Sequence, residues 1–267
     1  MRVKTFLLSI SLFISILILP SVSFSGEVYF HKLTTQRGEQ QPLWVIEKDD
    51  AVATLVLFAG GHGKLKLNEN GIRKLKKNFL VRTRNDFVEQ GFNVVLIDKP
   101  KDRKNLFDFR STEDHASDIQ SVIKYLRGKY KKPVWLIGTS RGTISVANAA
   151  ARLHGANGPD GIVLTSSVIV TSKRESLSDI ALDKIRVPSL FVHNRDDGCH
   201  VCPYDEIAAT MAELKKVKDK QLITHQGGYS EVSNPCKALT PHGFLGLEQQ
   251  VVKDIVNWIR PRLKGNK

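Results

Sequence analysis

Apolar residues fall in short blocks along this chain, and each block stops at glycine, proline or a polar cluster. Residues 27–33 alternate between apolar and polar positions, the period of a half-buried strand. Residues 43–46 form a short apolar run, and residues 51–59 a continuous one that ends at Gly60-Gly61-His62-Gly63. Residues 92–98, 134–137, 162–167, 188–193 and 221–224 are further stretches of strand type. The unbroken run at 51–59 marks a buried strand.

Helical stretches lie between them. Residues 79–90 read as one helix stopped by Gly91. Ser111 or Thr112 caps a helix with Glu113 and Asp114 in its first turn, running to about Tyr130. Residues 143–151 are small and helix-compatible, and residues 204–217 read as a further helix. Residues 245–259 place Leu247, Val251, Ile255 and Ile259 four apart on one face. Strand–helix alternation predicts an α/β fold with a mostly parallel central sheet and helices on both faces.

The first 25 residues stand apart. Arg2 and Lys4 precede the apolar run 6–19, Pro20 breaks it, and Ser23-Phe24-Ser25 is a small-x-small site. This predicts a signal peptide cleaved before Gly26 and an exported chain, periplasmic or secreted. The run is short for a bilayer core, which needs about 20 residues. No later apolar stretch is long enough to span a membrane, so no stable membrane span is expected after cleavage. Residues 26–267 then read as a single domain.

A net charge of +13 admits an anionic partner, although a basic solvated surface explains it as well. The basic residues are not interleaved with aromatics, which argues against a nucleic-acid partner.

Chemistry concentrates where residues 134–137 run into Gly138-Thr139-Ser140-Arg141-Gly142. A G-x-S-x-G between a strand and a helix projects a serine hydroxyl beyond the sheet and makes Ser140 a candidate nucleophile. A serine needs a base, and the base an orienting carboxylate. Asp196 and Asp197 follow the strand ending at His193, and His242 lies in Thr240-Pro241-His242-Gly243-Phe244, before the last helix.

With the Gly138–Gly142 turn, the His193–Asp197 turn and the His242-Gly243-Phe244 turn in this order, residues 50–260 resemble α/β-hydrolase-fold serine hydrolases. The resemblance implies acyl transfer to water without a cofactor: Ser140 attacks, His242 moves the proton and an aspartate orients His242. The family's H-G-x-x-D turn puts that role on Asp197, with Asp196 as the alternative. His225, which also ends the last strand, is the alternative base. The second oxyanion donor, beside the Arg141 N–H, is expected from Gly61 or His62.

Cys199, His200, Cys202 and Cys236 would satisfy zinc, but an exported chain more often oxidises a pair. A Cys199–Cys236 disulfide, with Cys202 as the alternative partner for Cys236, would tie the acid loop to the histidine loop. It would contribute about 4 kcal/mol by loop entropy. No metal is expected. The connection between the strands at 162–167 and 188–193 is too short for a large lid, so an open site is expected. The basic segment 64–84 and Arg141 would favour an anionic substrate; a solvated helix accounts for the segment equally well. The resulting expectation is an exported hydrolase of a small-molecule carboxylic ester or related acyl substrate. Alternatives are an amidase or peptidase of the same fold, or a hydrolase-like binding protein for anionic envelope ligands.

Overall fold

The computed structural model describes residues 26–171 and 173–264. The signal peptide read over residues 1–25 lies outside them.

The strands are β1 (Val28–Thr34), β2 (Gln40–Ile46), β3 (Thr54–Phe58), β4 (Leu67–Asn68), β5 (Gly71–Ile72), β6 (Asn93–Ile97), β7 (Val134–Thr139), β8 (Gly161–Thr165), β9 (Ser189–Asn194) and β10 (Lys220–His225). The helices are α1 (Phe79–Arg82), α2 (Arg84–Glu89), α3 (Glu113–Tyr130), α4 (Gly142–Arg152), α5 (Ile207–Ala212) and α6 (Glu248–Ile259). Eight strands form one sheet in the order β1-β2-β6-β3-β7-β8-β9-β10. β2 runs antiparallel to both neighbours, and every other adjacent pair is parallel.

Every residue of β3, β6, β7, β8 and β9 is buried, whereas the edge strands β1 and β10 are partly exposed. This is why the central strands read as continuous apolar runs and the first one as alternating. Two cores cover the sheet. Ile119, Val122, Ile123 and Leu126 of α3 and Ile144 and Val146 of α4 build one. Phe79 and Leu80 of α1, Phe87 of α2, and Val251, Ile255 and Ile259 of α6 build the other.

The chain leaves β3 to form β6 on one side and returns to form β7 on the other. That reversal opens a crevice at the C-terminal ends of β3 and β7. Their register pairs Phe58 with Gly138, so the turn after β3 begins beside the turn after β7.

Several local expectations change. Thr112 is the α3 cap, accepting from the His115 N–H at 3.2 Å. The helix expected over 79–90 breaks at Thr83, which leaves helical geometry with ψ 7° and turns its hydroxyl onto Phe79 O at 2.8 Å. The helix expected over 204–217 is α-helical only over Ile207–Ala212. Lys220 Nζ donates to Met211 O and Leu214 O, both at 3.0 Å, satisfying carbonyls where that helix stops. α6 begins at Glu248 rather than 245.

The basic segment carries the unexpected β4–β5 ribbon, whose start is anchored by Asp98 accepting from Leu65 N (2.7 Å) and Leu67 N (2.9 Å). The connection after β8 holds two short 3-10 turns and no α-helix among its described residues.

Candidate active site

Strand β7 runs into Ser140, whose φ of 52° lies in the left-handed region. A non-glycine residue there stores strain that the surroundings must over-determine. They do so with short contacts. Ser140 N donates to Thr165 O at 2.9 Å, and Thr143 Oγ1 donates to Ser140 O at 2.6 Å. A Cβ on Gly138 would lie 2.5 Å from Gly142 O, and one on Gly142 would lie 2.1 Å from Phe58 O. Strand β7 can approach α4, and α4 the end of β3, this closely only with glycine at 138 and 142. The Arg141 N–H, at the start of α4, makes no backbone hydrogen bond among the described residues. It is one of the donors that a helix N-terminus leaves open.

Facing the elbow, His242 Nδ1 lies 2.8 Å from Asp197 Oδ2, with 5% and 1% of the two side chains exposed. Asp197 Oδ1 accepts from Cys199 N at 2.9 Å. Asp197 therefore presents one oxygen to its own turn and one to the imidazole. Asp196 turns away and accepts from Gly227 N at 2.8 Å. His225 sits 3.6 Å from Asp254 and packs edge-on to Phe244. The structure thus brings Asp197 to His242 and leaves Asp196 and His225 outside the pair.

The loop bearing His242 is held from three sides. Ser166 Oγ donates to His242 O at 2.7 Å, from a backbone that is itself left-handed at φ 45°. Arg82 on α1 donates to the carbonyls of Gly243, Ala238 and Lys77 and pairs with Glu248 at 2.8 Å. Cys199 and Cys236 form a disulfide joining the acid and histidine loops, and Cys202 is a free, buried thiol.

Ser140 and His242 line one cavity of about 330 Å³ together with Gly60, Gly61 and His62. No direct hydrogen bond joins the two side chains among the described residues; such contacts often tighten only when substrate binds.

The turn after β3 approaches Ser140 closely: a Cβ on Gly60 would lie 2.9 Å from Ser140 Cβ. Gly61 and Gly63 have φ of 57° and 68°, and Gly63 N donates to Gly60 O at 3.2 Å. The Gly61 and His62 N–H groups make no backbone hydrogen bond among the described residues, and both residues line the cavity. The His62 ring is turned onto its own loop, where Nδ1 accepts from Lys64 N at 3.0 Å.

Beneath this turn lies Arg110, with 0% of its surface exposed. Its guanidinium donates to Ala59 O at 3.0 Å, Gly61 O at 3.4 Å and Ser145 Oγ at 2.7 Å. A Cβ on Gly63 would fall 2.6 Å from Arg110 Nη2, so that glycine makes room for the cation. Burial lowers the Arg110 pKa to about 9, against an opposing pull from Glu175. It stays charged at neutral pH.

The esterase Pf2001 of Pyrococcus furiosus superposes with a TM-score of 0.64 at 13% identity, over 89% of this chain and 93% of that one. XC6422 of Xanthomonas campestris, an α/β serine hydrolase without a lid, superposes with a TM-score of 0.58 at 17% identity, over 90% and 97%. A dienelactone hydrolase of Anabaena variabilis gives 0.60 at 16% identity, over 90% and 99%. The chain has the α/β-hydrolase fold. No protein-family model matches it, and no curated protein does.

In this α/β-hydrolase fold the turns after β3, β7 and β9 and the loop after β10 meet at the C-terminal edge of the sheet. The Arg141 side chain takes no part in the cavity. It lies over the Phe107 ring and donates to Glu175 O at 3.3 Å. Among the described residues, the His, Cys, Asp and Glu group compact enough for a metal is Cys199, Cys202 and His242, with ligand atoms within 4.8 Å of one another. The disulfide removes Cys199 as a thiolate ligand, and burial keeps the Cys202 thiol protonated. The donor set therefore does not suit zinc while the disulfide stands.

Sequence reasoning missed Arg110, Ser166 and Arg82. Each acts through carbonyls of a loop distant in sequence, so no spacing rule singles it out.

The hydrolase fold also seals two histidines: His115 bonds Ser145 Oγ at 2.9 Å and His193 bonds Ser167 Oγ at 3.2 Å. Burial lowers the pKa of each to about 3, against about 6.5 in the unfolded chain. Below pH ~6.5 the unfolded state binds protons that the folded state refuses, so stability falls as pH falls towards ~3. Each histidine contributes a slope of about 1.4 kcal/mol per pH unit in that window. Urea unfolding midpoints should therefore drop steadily from neutral pH downwards, and His115→Gln should shallow the drop. A slope unchanged in that variant would contradict the assignment.

Proposed function

We propose that this chain is an exported serine hydrolase that cleaves a carboxylic ester or related acyl bond through an acyl-enzyme on Ser140. The observation that carries the reading is the convergence of Ser140 and the Asp197–His242 pair on one cavity, beside the turn at Gly60 to Gly63. In the first step Ser140 Oγ bonds to the substrate carbonyl carbon while His242 Nε2 takes the hydroxyl proton. Asp197 holds the other ring nitrogen and stabilises the imidazolium. The tetrahedral oxyanion accepts from the Arg141 N–H and from the N–H of Gly61 or His62. Collapse breaks the bond to the alkoxide, which leaves with the proton from His242. Water then repeats the sequence and releases the acid.

This chemistry requires no metal or organic cofactor. Amide cleavage would use the same groups, and ester cleavage is favoured because the structurally similar proteins include the esterase Pf2001 and a dienelactone hydrolase. Export is supported by the leader read in residues 1–25 and is compatible with the Cys199–Cys236 disulfide. No described helix is long and apolar enough to cross a membrane.

A fluorophosphonate probe should add covalently to the protein, with the adduct mapped to Ser140 by mass spectrometry and lost in Ser140→Ala. A folded wild-type protein that stays unlabelled would overturn the reading in favour of a binding protein.

A further inference from the structure

The cavity at Ser140 has an uneven charge. Among its lining residues are Lys77 and Lys237, and no aspartate or glutamate. Several arginines elsewhere are paired, Arg37 with Asp118, Arg82 with Glu248, Arg174 with Asp108 and Arg262 with Asp219. Neither Lys77 nor Lys237 forms an ion pair among the described residues, and both are exposed at the cavity.

Two other cations near the site are turned elsewhere. Arg82 is spent on loop carbonyls, and Arg141 lies over Phe107. The lining thus takes Lys77 from the basic segment and Lys237 from the loop after β10.

Two further observations fit. Asn78, next to Lys77 on the cavity wall, has a carboxamide oxygen without a partner among the described residues. That amide can turn either its donor or its acceptor end to a bound group. His62 has its pKa lowered by burial and then by Lys74, Arg110 and Lys64, which outweigh Asp98. The charges that act on His62 are thus mainly cationic. Leu75, Phe79 and Ala238 supply the apolar part. A volume of about 330 Å³ is at the small end of ligand sites, which run from roughly 300 to 1,000 Å³.

We infer that the site selects short acyl esters that carry a second, anionic group, a carboxylate or phosphate, held by Lys77 and Lys237 while Ser140 attacks the ester carbonyl. This rests on the reading of Ser140 as the nucleophile. The two ammonium groups provide strongly hydrated point charges suited to a small oxyanion at an open, wet wall. They would act through both binding and steering.

The test compares kcat/KM for three 4-nitrophenyl esters of similar length: the succinate half-ester with a free carboxylate, its neutral methyl succinate counterpart and the 3-phosphonopropionate. At least one anionic ester should exceed the neutral one about tenfold, and which of the two leads separates a carboxylate from a phosphate. The preference should shrink with added salt, because these charges are exposed. In the K77E/K237E variant the ratio of anionic to neutral kcat/KM should fall below one. K124E/K132E makes the same charge change at exposed positions outside the cavity and should leave the ratio in place. Hydrolysis of all three esters at equal rates, or a ratio unmoved by K77E/K237E, would overturn the anion inference while leaving Ser140 standing. No Ser140-dependent turnover of any ester, together with no fluorophosphonate adduct, would take down both readings.

Discussion

Asp197→Asn should lower kcat about 10⁴-fold while leaving the fold intact, the size of effect expected when the carboxylate behind a catalytic imidazole becomes an amide. The reason is geometric. Asp197 Oδ2 stands 2.8 Å from His242 Nδ1, so an ionised carboxylate keeps the proton on Nδ1 and leaves Nε2 free to accept from Ser140. An amide can present its NH2 instead, which forces the proton to Nε2 and removes the base. The carboxylate also stabilises the imidazolium that forms when the serine proton moves. Because 1% of the Asp197 side chain is exposed, water can do little to replace it.

Asp196→Asn is the matched control. That residue bonds Gly227 N, and its substitution should change kcat by no more than a few-fold. Steady-state hydrolysis of a 4-nitrophenyl ester and the rate of fluorophosphonate labelling both read the difference. Equal losses in the two variants would show that the pair seen here is not the working one.

Arg110→Met should cost about 10²–10³ in kcat, the range associated with loss of one oxyanion donor, with a much smaller change in KM. The guanidinium is the only group seen to hold both Ala59 O and Gly61 O among the described residues. A peptide is planar, so fixing the Gly61 carbonyl also fixes the direction of the His62 N–H. Releasing those carbonyls would loosen the turn proposed to supply the second oxyanion donor. It also removes a buried positive charge near the developing negative one.

In the proposed mechanism Arg110 is therefore a positioning residue. Arg110→Lys keeps the charge but replaces a planar fork by a single ammonium, and should recover part of the loss. A boronic acid, which mimics the tetrahedral state, should lose more affinity in Arg110→Met than a substrate-like ester does. If Arg110 served stability alone, the variant would melt earlier but keep the ratio of boronate to substrate affinity, and Arg110→Lys would not restore kcat.

Much of the architecture was legible because it is written locally. Central strands buried on both faces are mostly apolar, and the runs at residues 94–97, 134–137 and 162–164 record that directly. The Gly138 to Gly142 turn was legible because a strand and a helix meeting at a left-handed serine leave no room for Cβ atoms. Helix lengths were less so. Thr83 breaks the stretch at 79–90 and Lys220 satisfies the end of α5 through hydrogen bonds that propensity does not contain.

By itself, then, the sequence determined the α/β class, the candidate serine turn and the short menu of acids and bases. Those depend on period, glycine placement and chain order. Tertiary structure alone decided that Asp197 rather than Asp196 faces His242, and that Cys236 joins Cys199 rather than Cys202. It also decided that Arg110 lies under the turn after β3, and that Lys77 and Lys237 line the cavity while Arg141 does not. Neighbouring residues in a turn point in different directions, and residues far apart in sequence become partners only when the sheet reversal at β3 and β7 brings their loops to one edge.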